Sequence, residues 1–274
     1  MTLVVSGLAR HFGGVQAVRD VSFAVQPGEC VALIGPNGAG KSTTFACIAG
    51  QLLPHAGSVV WNGARIDALD ATERMRRGVA RTFQVAQVFE ALTVLQNLQL
   101  LMQIPRGLKA FDDLDRCARP LAQALLEQVG LADWGSTLAR HLPYGAKKRL
   151  ELGIALAGLQ DCGLGLSRQR PGDAQLLLLD EPAAGLAASE RRDLMALVHK
   201  LTRRAVGRTP LAVLYTEHNM DAVFGVADRV LVLMDGMVVA DGAPDAIARD
   251  PKVRERYLGH GWDLQEHLPQ GRDA

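Results

Sequence analysis

The segment Gly35-Pro36-Asn37-Gly38-Ala39-Gly40-Lys41-Ser42 follows the apolar run VALI (31–34) and precedes a predicted helix that ends near Gly50. Its GxxxxGK[ST] spacing is typical of a loop that binds nucleotide phosphates. The glycines lack Cβ atoms, so successive backbone N–H groups can curl around phosphate oxygens, and the helix start adds a partial positive charge. We expect Lys41 to reach the β- and γ-phosphates and the Ser42 hydroxyl to ligate Mg²⁺. The alternative is a glycine-rich turn with an incidental Lys-Ser pair.

Short apolar runs and helical periods alternate along the rest of the chain. The strand-like runs are 3–8, 18–25, 29–35, 58–66, 175–180, 210–217 and the hairpin 229–242. Asn62-Gly63 and Asp235-Gly236 predict tight hairpin turns, because asparagine, aspartate and glycine tolerate positive φ. A helix is expected from about Ser189 to Arg204. Strands that alternate with helices indicate an α/β fold with a mostly parallel sheet.

The domain organisation follows from changes in this pattern. Residues from about 86 to 160 have helical periodicity and predict a helical subdomain inserted between strands. The segment 161–174, DCGLGLSRQRPGDA, is rich in Gly, Arg and Pro and predicts an extra surface loop. Residues 261–274 are expected to form a partly ordered tail. The chain from 1 to 260 is therefore predicted to be one nucleotide-binding domain.

Charge and apolar runs restrict the class of protein. The 274 residues carry 30 basic and 29 acidic side chains, which leaves a formal charge of +1. This balance disfavours a protein that binds the DNA backbone. The sequence has neither an apolar run near the roughly 20 residues that span a bilayer nor the layout of a signal peptide. We expect a cytoplasmic chain that can still dock on a membrane protein.

Two adjacent carboxylates end the apolar run LLLL (176–179). At the carboxyl edge of a buried strand, Asp180 can hold Mg²⁺ directly or through water. Glu181 points the other way and can polarise an attacking water. The alternative is an acidic helix cap before Pro182. Together with the phosphate loop, the pair favours nucleotide hydrolysis.

Five motifs follow one another in the order of an ABC-type ATPase. They are residues 35–42, Gln84 within RTFQ, LPYG (142–145), LLLLDEP (176–182) and His218 within YTEH. The chain most resembles the ATP-hydrolysing subunits of branched-chain (hydrophobic) amino-acid importers. The stretches that carry this resemblance are FGGVQAVRDVSFAV, LPYGAKKRLELGIALA, LLLLDEPAAGL, EHNMDAVFGVADRV and DPKVRERYLG. It covers residues 2–260 apart from 161–174. It implies a P-loop NTPase fold of the ABC type, with a mostly parallel core sheet, an antiparallel β subdomain and an inserted helical subdomain.

The resemblance implies that two such ATPases pair head to tail. Each ATP then lies between the phosphate loop of one copy and the LPYG segment, the signature segment, of the other. The amides of Tyr144 and Gly145, at a helix start, would face the γ-phosphate of the partner's ATP. From the residues alone, the same segment is a simple Pro-Tyr-Gly turn.

The resemblance also implies roles for individual side chains near the γ-phosphate. Gln84 would contact Mg²⁺ or water and sense the γ-phosphate. His218 would bind the γ-phosphate and position the water against Glu181. Without the resemblance, a histidine after an apolar strand is most often structural.

On the nucleoside side, the resemblance implies that Phe12 stacks on adenine, with Val18 beside it. The rival interpretation makes Phe12 an ordinary core residue. Thr43 would add a hydroxyl to the α-phosphate. Together with residues 35–42, these residues complete the predicted ATP site.

The chain departs from the family pattern at three positions. The usual serine and glutamine of the signature segment are replaced by Pro143 and Ala146. Proline offers neither a hydroxyl nor an N–H, so the amides of Tyr144 and Gly145 must suffice. Ala187 stands where the family usually has an Asp or Asn that bridges the subunits. The departure at Ala187 therefore bears on tight coupling between the subunits more than on ATP binding.

The leading prediction is a motor subunit on the inner face of the cell membrane that drives amino-acid import. Its implied partners are integral membrane permease subunits, a second ABC ATPase in a homodimer or heterodimer, and indirectly a periplasmic solute-binding protein, with no nucleic acid. Residues from Val85 to Leu98 would form part of the permease docking groove. Alternatives are a soluble ABC ATPase of nucleic-acid or translation machinery, a regulatory partner with weak hydrolysis, and an importer of urea or amides.

Overall fold

The computed structural model describes residues 2–82, 88–103, 111–159, 174–203 and 211–258, with only the backbone for 103, 111–117 and 258. The strands are β1 Leu3–Phe12, β2 Val15–Val25, β3 Cys30–Ile34, β4 Ala56–Trp61, β5 Ala64–Arg65, β6 Val79–Arg81, β7 Gln175–Asp180, β8 Leu211–Thr216, β9 Arg229–Met234 and β10 Met237–Gly242. The helices are α1 Lys41–Ala49, α2 Ala71–Arg76, α3 Val94–Gln103, α4 Phe111–Gln128, α5 Tyr144–Gly158, α6 Ala188–Arg203, α7 Met220–Phe224, α8 Pro244–Arg249 and α9 Pro251–Val253. Short 3-10 turns lie at Ala132–Trp134 and Ala139–His141, and a π-helical turn at Arg254–Leu258.

The strands form two sheets. One is antiparallel and has the order β2-β1-β4-β5. The other has the order β10-β9-β3-β8-β7-β6 and is parallel except for the β9–β10 hairpin. Helices α3, α4 and α5 pack on one another beside the parallel sheet. The predicted α/β fold, with a mostly parallel sheet, an antiparallel β part and inserted helices, is therefore confirmed.

The core lies on both faces of the parallel sheet. In β7, Leu176 and Leu178 pack towards the antiparallel sheet and α1, whereas Leu177 and Leu179 pack towards the helices on the opposite face. Because successive residues of a strand point to opposite faces, a strand covered on both sides is apolar throughout. This explains why the run lacks alternation.

Both predicted hairpin turns are confirmed. Asn62 and Gly63 have φ of 50° and 79°, and Asp235 and Gly236 have φ of 50° and 78°. Positive φ at both central residues matches the right-handed twist of the flanking strands. The second turn also touches the phosphate loop, because the Gly236 amide donates to the Ala39 carbonyl at 3.1 Å.

The sequence analysis missed α2 and β6. Strand β6 has three residues, which is too short for a periodic signal, and it is formed by parallel pairing of Val79 with Leu176. Helix α2 did have a signal, because Asp70 caps the helix by accepting the Glu73 amide at 2.8 Å. An acidic cap with a glutamate three residues later is a recognised helix start.

The fold brings the chemically active segments to one edge. Strands β3, β7 and β8 are neighbours and parallel, so their carboxyl ends, at Ile34, Asp180 and Thr216, lie side by side. Ligands of open α/β sheets bind at such an edge. Within the described ranges, the helices lack the length and apolar character of a membrane span.

Candidate nucleotide-binding and hydrolysis site

The phosphate loop is shaped by contacts that only glycine allows. A Cβ on Gly35 would lie 2.0 Å from the Leu233 carbonyl oxygen, and one on Gly40 would lie 2.2 Å from the Ala17 carbonyl oxygen. Both residues also have positive φ, 148° and 101°. Gly38 has a φ of 80°, but a Cβ there would meet nothing within 4 Å. Gly35 and Gly40 thus let the loop pack closely against the Leu233 and Ala17 carbonyls, whereas Gly38 borders open space.

Lys41 lies at the base of the loop and is only 7% exposed. Its Nζ donates to the carbonyl oxygens of Gly35 at 2.6 Å and Pro36 at 3.0 Å. Burial lowers the pKa of Lys41, and the nearby charges of Glu181 and Asp180 oppose that shift. The ammonium group is therefore held inside the curve of the loop and close to the acidic end of β7.

Helix α1 directs its N-terminus at the same space. Its N-cap is Gly40, which has no side chain to accept the first amides of the helix. Such amides and the partial positive charge of the helix start favour a bound anion. At the other end, the fully buried Arg74 donates to the carbonyl oxygens of Cys47 and Ile48. Burial lowers the pKa of Arg74 to about 10, so the guanidinium group stays charged at neutral pH.

Glu181 and His218 meet at the rim of the loop. His218 Nε2 lies 2.9 Å from Glu181 Oε1, and the side chains are 42% and 26% exposed, respectively. Glu181 has a φ of 49°, a left-handed conformation that is rare outside glycine. Its amide donates to the Thr216 carbonyl at 3.2 Å, which ties it to the end of β8. Two of the three predicted catalytic residues, Glu181 and His218, are thus in contact and partly open to solvent.

Asp180 is 2% exposed and both of its oxygens are engaged. Oδ1 accepts from the Thr216 hydroxyl at 2.8 Å, and Oδ2 accepts from Arg81 at 2.6 Å. A carboxylate has about four lone-pair positions, so each oxygen can still accept a second donor or a hydrated cation. Sequence analysis missed Arg81 and Thr216, although Arg81 begins the RTFQ motif and Thr216 begins TEH. Their pairing with Asp180 depends on neighbouring parallel strands.

A third acidic residue, Glu217, supports the turn after β7. It is 4% exposed, and its Oε1 accepts the Ala183 amide at 3.0 Å. Burial raises the pKa of Glu217, and the backbone amides that it accepts counteract the rise. Glu217 was not predicted, because a single Glu beside a motif histidine has no distinguishing pattern. Its role here is to hold the backbone near Glu181.

A cavity of about 370 Å³ lies between the phosphate loop and the Glu181–His218 pair. Its lining consists of Phe12, Ala17, Asn37, Gly38, Ala39, Gly40, Lys41, Ser42, Thr43, Glu181 and His218. Phe12 lines this cavity and is 46% exposed, so part of its ring is available for stacking. Val18 is different: it is 1% exposed and belongs to the core, and its neighbour Ala17 lines the cavity instead. The prediction that Val18 lies beside the adenine is corrected accordingly, because alternation along β2 turns its side chain inwards.

The residues present fit a nucleoside triphosphate with a magnesium ion. The chain offers a glycine cradle, free helix amides and a buried lysine for phosphates. Ser42 and Asp180 offer the hard oxygen ligands that Mg²⁺ prefers. Gln84, the third predicted magnesium contact, lies outside the described residues, and so do residues 161–173 of the predicted extra loop.

The signature segment lies elsewhere in the chain and does not line this cavity. Tyr144 begins α5 and is 48% exposed, and the helix has Pro143 as its N-cap without a side-chain cap. The Tyr144 hydroxyl donates to the Ala184 carbonyl at 3.2 Å. Gly145 faces Glu190, whose Oε1 would lie 2.7 Å from a Cβ there.

These features define a class of protein, and comparison with known proteins confirms it. The chain belongs to the ABC transporter family, whose sequence profile matches residues 18–184. It is therefore an ATP-binding cassette, a class of ATP-hydrolysing subunit. A second profile, that of the branched-chain amino acid ATP-binding cassette transporter, matches residues 237–263.

Individual relatives are similar along nearly the whole chain. The high-affinity branched-chain amino acid transport ATP-binding protein BraF of Pseudomonas aeruginosa is 36% identical over 94% of this chain and 97% of its own length. LivG of Escherichia coli K12, described in the same words, is 34% identical over the same shares. The lipopolysaccharide export system ATP-binding protein LptB of Escherichia coli K12 is 32% identical over 96% of this chain and 99% of its own.

Solved structures share the fold. The ADP conformation of MJ1267, an ATP-binding cassette of an ABC transporter, has a TM-score of 0.77 and 28% identity, and the match covers 94% of this chain and 99% of MJ1267. A nucleotide-free ATP-binding cassette from an ABC transporter has a TM-score of 0.75 and 27% identity, with 94% and 100% covered. The resemblance seen in the motifs is thereby confirmed.

Proposed function

We propose that the chain binds ATP and Mg²⁺ in the 370 Å³ cavity and hydrolyses ATP as one half of a head-to-tail pair. The pair powers import of branched-chain or similar hydrophobic amino acids through separate membrane permease subunits. The observation that carries the hydrolytic part is the 2.9 Å contact between His218 and Glu181 at the rim of the phosphate loop.

ATP binding uses the groups that already point into the cavity. The ammonium group of Lys41 leaves its two carbonyl partners in part to meet the β- and γ-phosphates, and the amides of α1 receive phosphate oxygens. Ser42 and Asp180 hold Mg²⁺, with Gln84 as the third contact. When bound, Mg²⁺ neutralises charge on the phosphates. Thr43 adds its hydroxyl, and Phe12 stacks on the base.

Glu181 acts on the attacking water. Its carboxylate is a quarter exposed, so a water can reach it, and His218 holds Oε1 from the other side. In this arrangement His218 orients the carboxylate, and the other oxygen of Glu181 accepts a proton from the water as the water attacks the γ-phosphorus. The bond between the γ-phosphorus and the bridging oxygen of the β-phosphate breaks, which releases ADP and inorganic phosphate. His218 thus positions the base and remains within reach of the γ-phosphate.

Pairing with a second ATPase completes each site. The amides of Tyr144 and Gly145 at the start of α5 are directed at the ATP of the other subunit. Binding of ATP closes the pair and hydrolysis reopens it, which converts chemical energy into alternating access of the permease. The partner is a second copy of this chain or a sister ATPase.

A second cavity, of about 560 Å³, supports permease docking. Its lining is mainly apolar and includes Val88, Phe89, Leu101 and Ile154. Phe89 is 47% exposed, which is unusual for a large apolar side chain. An apolar groove of this kind suits a short amphipathic helix from a permease loop. Docking on a permease in this way would hold the chain at the inner face of the membrane.

Hydrolysis is tested with Glu181→Gln. Because general-base catalysis contributes about 10²- to 10⁴-fold, the variant is expected to lose that much of kcat while it still binds ATP. The measurements are steady-state phosphate release and fluorescent ATP titration. Glu73→Gln, which removes a carboxylate from the surface ion pair with Arg76 on α2, is the matched control. Parent-level hydrolysis by Glu181→Gln would remove Glu181 from the base role.

The cargo is tested in proteoliposomes. The chain is reconstituted with the permease subunits that copurify with it, and ATP hydrolysis is measured with a leucine-loaded solute-binding protein outside. We expect hydrolysis to rise together with leucine uptake, and Lys41→Ala to abolish both. Stimulation by lipopolysaccharide instead of by the amino acid would replace the importer assignment with the export role of which LptB is an example.

A further inference from the structure

The signature segment is attached to the catalytic turn of its own chain. The Tyr144 hydroxyl donates to the Ala184 carbonyl at 3.2 Å, although the residues are 40 positions apart. The Tyr144 ring packs on Gly185, where a Cβ would lie 3.2 Å from ring atom Cε1, and Gly185 has a φ of 77°. Lys148 Nζ lies 6.0 Å from the centroid of the same ring. The tyrosine is therefore held at its hydroxyl, at its edge and at its face.

Ala184 passes this contact on to Glu181. The Ala184 amide donates to the Glu181 carbonyl at 3.1 Å, so a single residue accepts from Tyr144 and donates to Glu181. Glu181 is in the left-handed region, with a φ of 49°. Such a conformation persists only where the surroundings hold it. The turn that begins at Glu181 is thus held at its far end by Tyr144.

The two ends of this connection belong to different ATP sites of a head-to-tail pair. Glu181 serves the ATP in the phosphate loop of its own chain, whereas Tyr144 faces the ATP of the second subunit. Ala187 lacks the side chain that could bridge the subunits after the same turn. The Tyr144–Ala184 contact is a route within one chain between the two sites.

We propose that Tyr144 is a positioning residue that couples the two ATP sites by holding the Glu181 turn of its own chain. ATP bound by the second subunit orders the start of α5, and the Tyr144 hydroxyl then keeps Ala184 and Glu181 in the geometry for hydrolysis. This inference rests on the proposed head-to-tail pair and on Glu181 as its base.

The test uses mixed pairs of two differently tagged full-length copies. One copy keeps Glu181 and is the active copy, while its partner copy carries Glu181→Gln, so that hydrolysis occurs at one site. Tyr144→Phe is then introduced into the active copy, where its hydroxyl touches only the turn of that copy and the ring faces the inactive site. We expect kcat to fall by about three- to tenfold, the effect of one lost hydrogen bond.

Two further variants separate coupling from stability. Tyr215→Phe in the active copy removes a buried hydroxyl that donates to the Ala222 carbonyl at 3.3 Å, so it is expected to lower Tm but not kcat. Gly185→Ala in the active copy adds a Cβ 3.2 Å from Tyr144 Cε1 and strains a turn with a φ of 77°; because both effects disturb the contact with Tyr144, the variant is expected to reproduce the loss in kcat. In addition, Tyr144→Phe should speed amide hydrogen exchange of residues 183–186 in ATP-bound pairs that carry Glu181→Gln in both copies.

An unchanged kcat with Tyr144→Phe in the active copy, while the reference pair hydrolyses ATP, would overturn the coupling and leave the proposed function intact. Unchanged hydrogen exchange at 183–186 would overturn it as well. A loss of kcat only when Tyr144→Phe is in the partner copy would restrict Tyr144 to contact with ATP. Absence of hydrolysis in the reference pair would overturn the proposed function and this inference together.

Discussion

The phosphate loop and the signature segment both end at the start of a long helix, yet the chain builds them in different ways. At the phosphate loop, Gly35 and Gly40 approach backbone carbonyls so closely that any Cβ would overlap them. At the signature segment, Gly145 faces Glu190, the movable end of a flexible side chain. The first helix start points at a cavity of its own chain, and the second lies outside that cavity.

This difference indicates which half of the site one chain can form alone. The phosphate loop is held by rigid backbone contacts to β2 and β9, so it is already shaped before a ligand arrives. The signature segment is exposed at Tyr144 and is capped only by Pro143, which has no side-chain donor or acceptor. Within the chain it is supported by the Tyr144–Ala184 contact, and in the proposed pair it would also be supported by the second subunit.

The largest expected effect is on the phosphate loop. Gly40→Ala places a Cβ 2.2 Å from the Ala17 carbonyl and should lower the free energy of unfolding by about 3–5 kcal/mol and abolish ATP binding. Gly38→Ala, the matched control, has the positive-φ strain without the overlap and should cost about 1–2 kcal/mol. Urea unfolding without nucleotide measures both. Equal losses would show that backbone conformation, not close packing, makes the loop depend on glycine.

Gly145→Ala should leave the free energy of unfolding nearly unchanged and weaken ATP-dependent pairing. Glu190 can move away from the new Cβ, and alanine is favoured in helices by about 1 kcal/mol over glycine, so stability should change by less than that. A phosphate that approaches the start of α5 would still meet the added methyl group. We therefore expect ATP-dependent pairing, measured by analytical ultracentrifugation in the Glu181→Gln background, to weaken about tenfold. Unfolding of the variant, or undiminished pairing, would show that the two helix starts are not built differently.

The smallest expected effect comes from restoring the family residue at position 187. Helix α6 begins at Ala188, so Ala187→Asn adds a side-chain cap and should stabilise the chain by about 0.5–1 kcal/mol. If the new side chain also bridges the subunits, hydrolysis should rise a few-fold and become more cooperative in ATP. Ala187→Ser supplies a shorter cap and is the control. A gain in Tm with no change in the ATP dependence of hydrolysis would limit position 187 to helix capping.

Local signals were read correctly from the sequence where local chemistry dictates the structure. The Asn62-Gly63 and Asp235-Gly236 turns, the helix after Lys41 and the buried run of β7 follow from φ preferences and hydrophobic patterns of a few residues. Helix α2 was missed although its Asp70 cap is a local signal. Strand β6 was missed because it exists only through its pairing with β7, and the burial of Val18 depends on which side of β2 packs against the core.

The order of motifs also predicted the contact between Glu181 and His218, because these residues follow β7 and β8, two neighbouring parallel strands that end at one sheet edge. Glu181 and His218 are 37 positions apart and meet at 2.9 Å for this reason. By contrast, Arg81 and Thr216 lie within the RTFQ and YTEH motifs, but nothing in those motifs indicates that both residues donate to Asp180. Strand order, rather than residue type, selects them.

By itself, the sequence determined that this chain has a phosphate loop and a pair of acids at a strand end, and that it belongs to a family of ATPases. Glycine spacing, apolar runs and motif order indicate these features, and all three depend only on residue types. Only the tertiary structure decided which carbonyls make Gly35 and Gly40 necessary, that Ala17 rather than Val18 borders the cavity, and that Tyr144 holds the turn of Glu181. Those features arise where distant segments pack together, and a contact of that kind leaves no pattern in either segment alone.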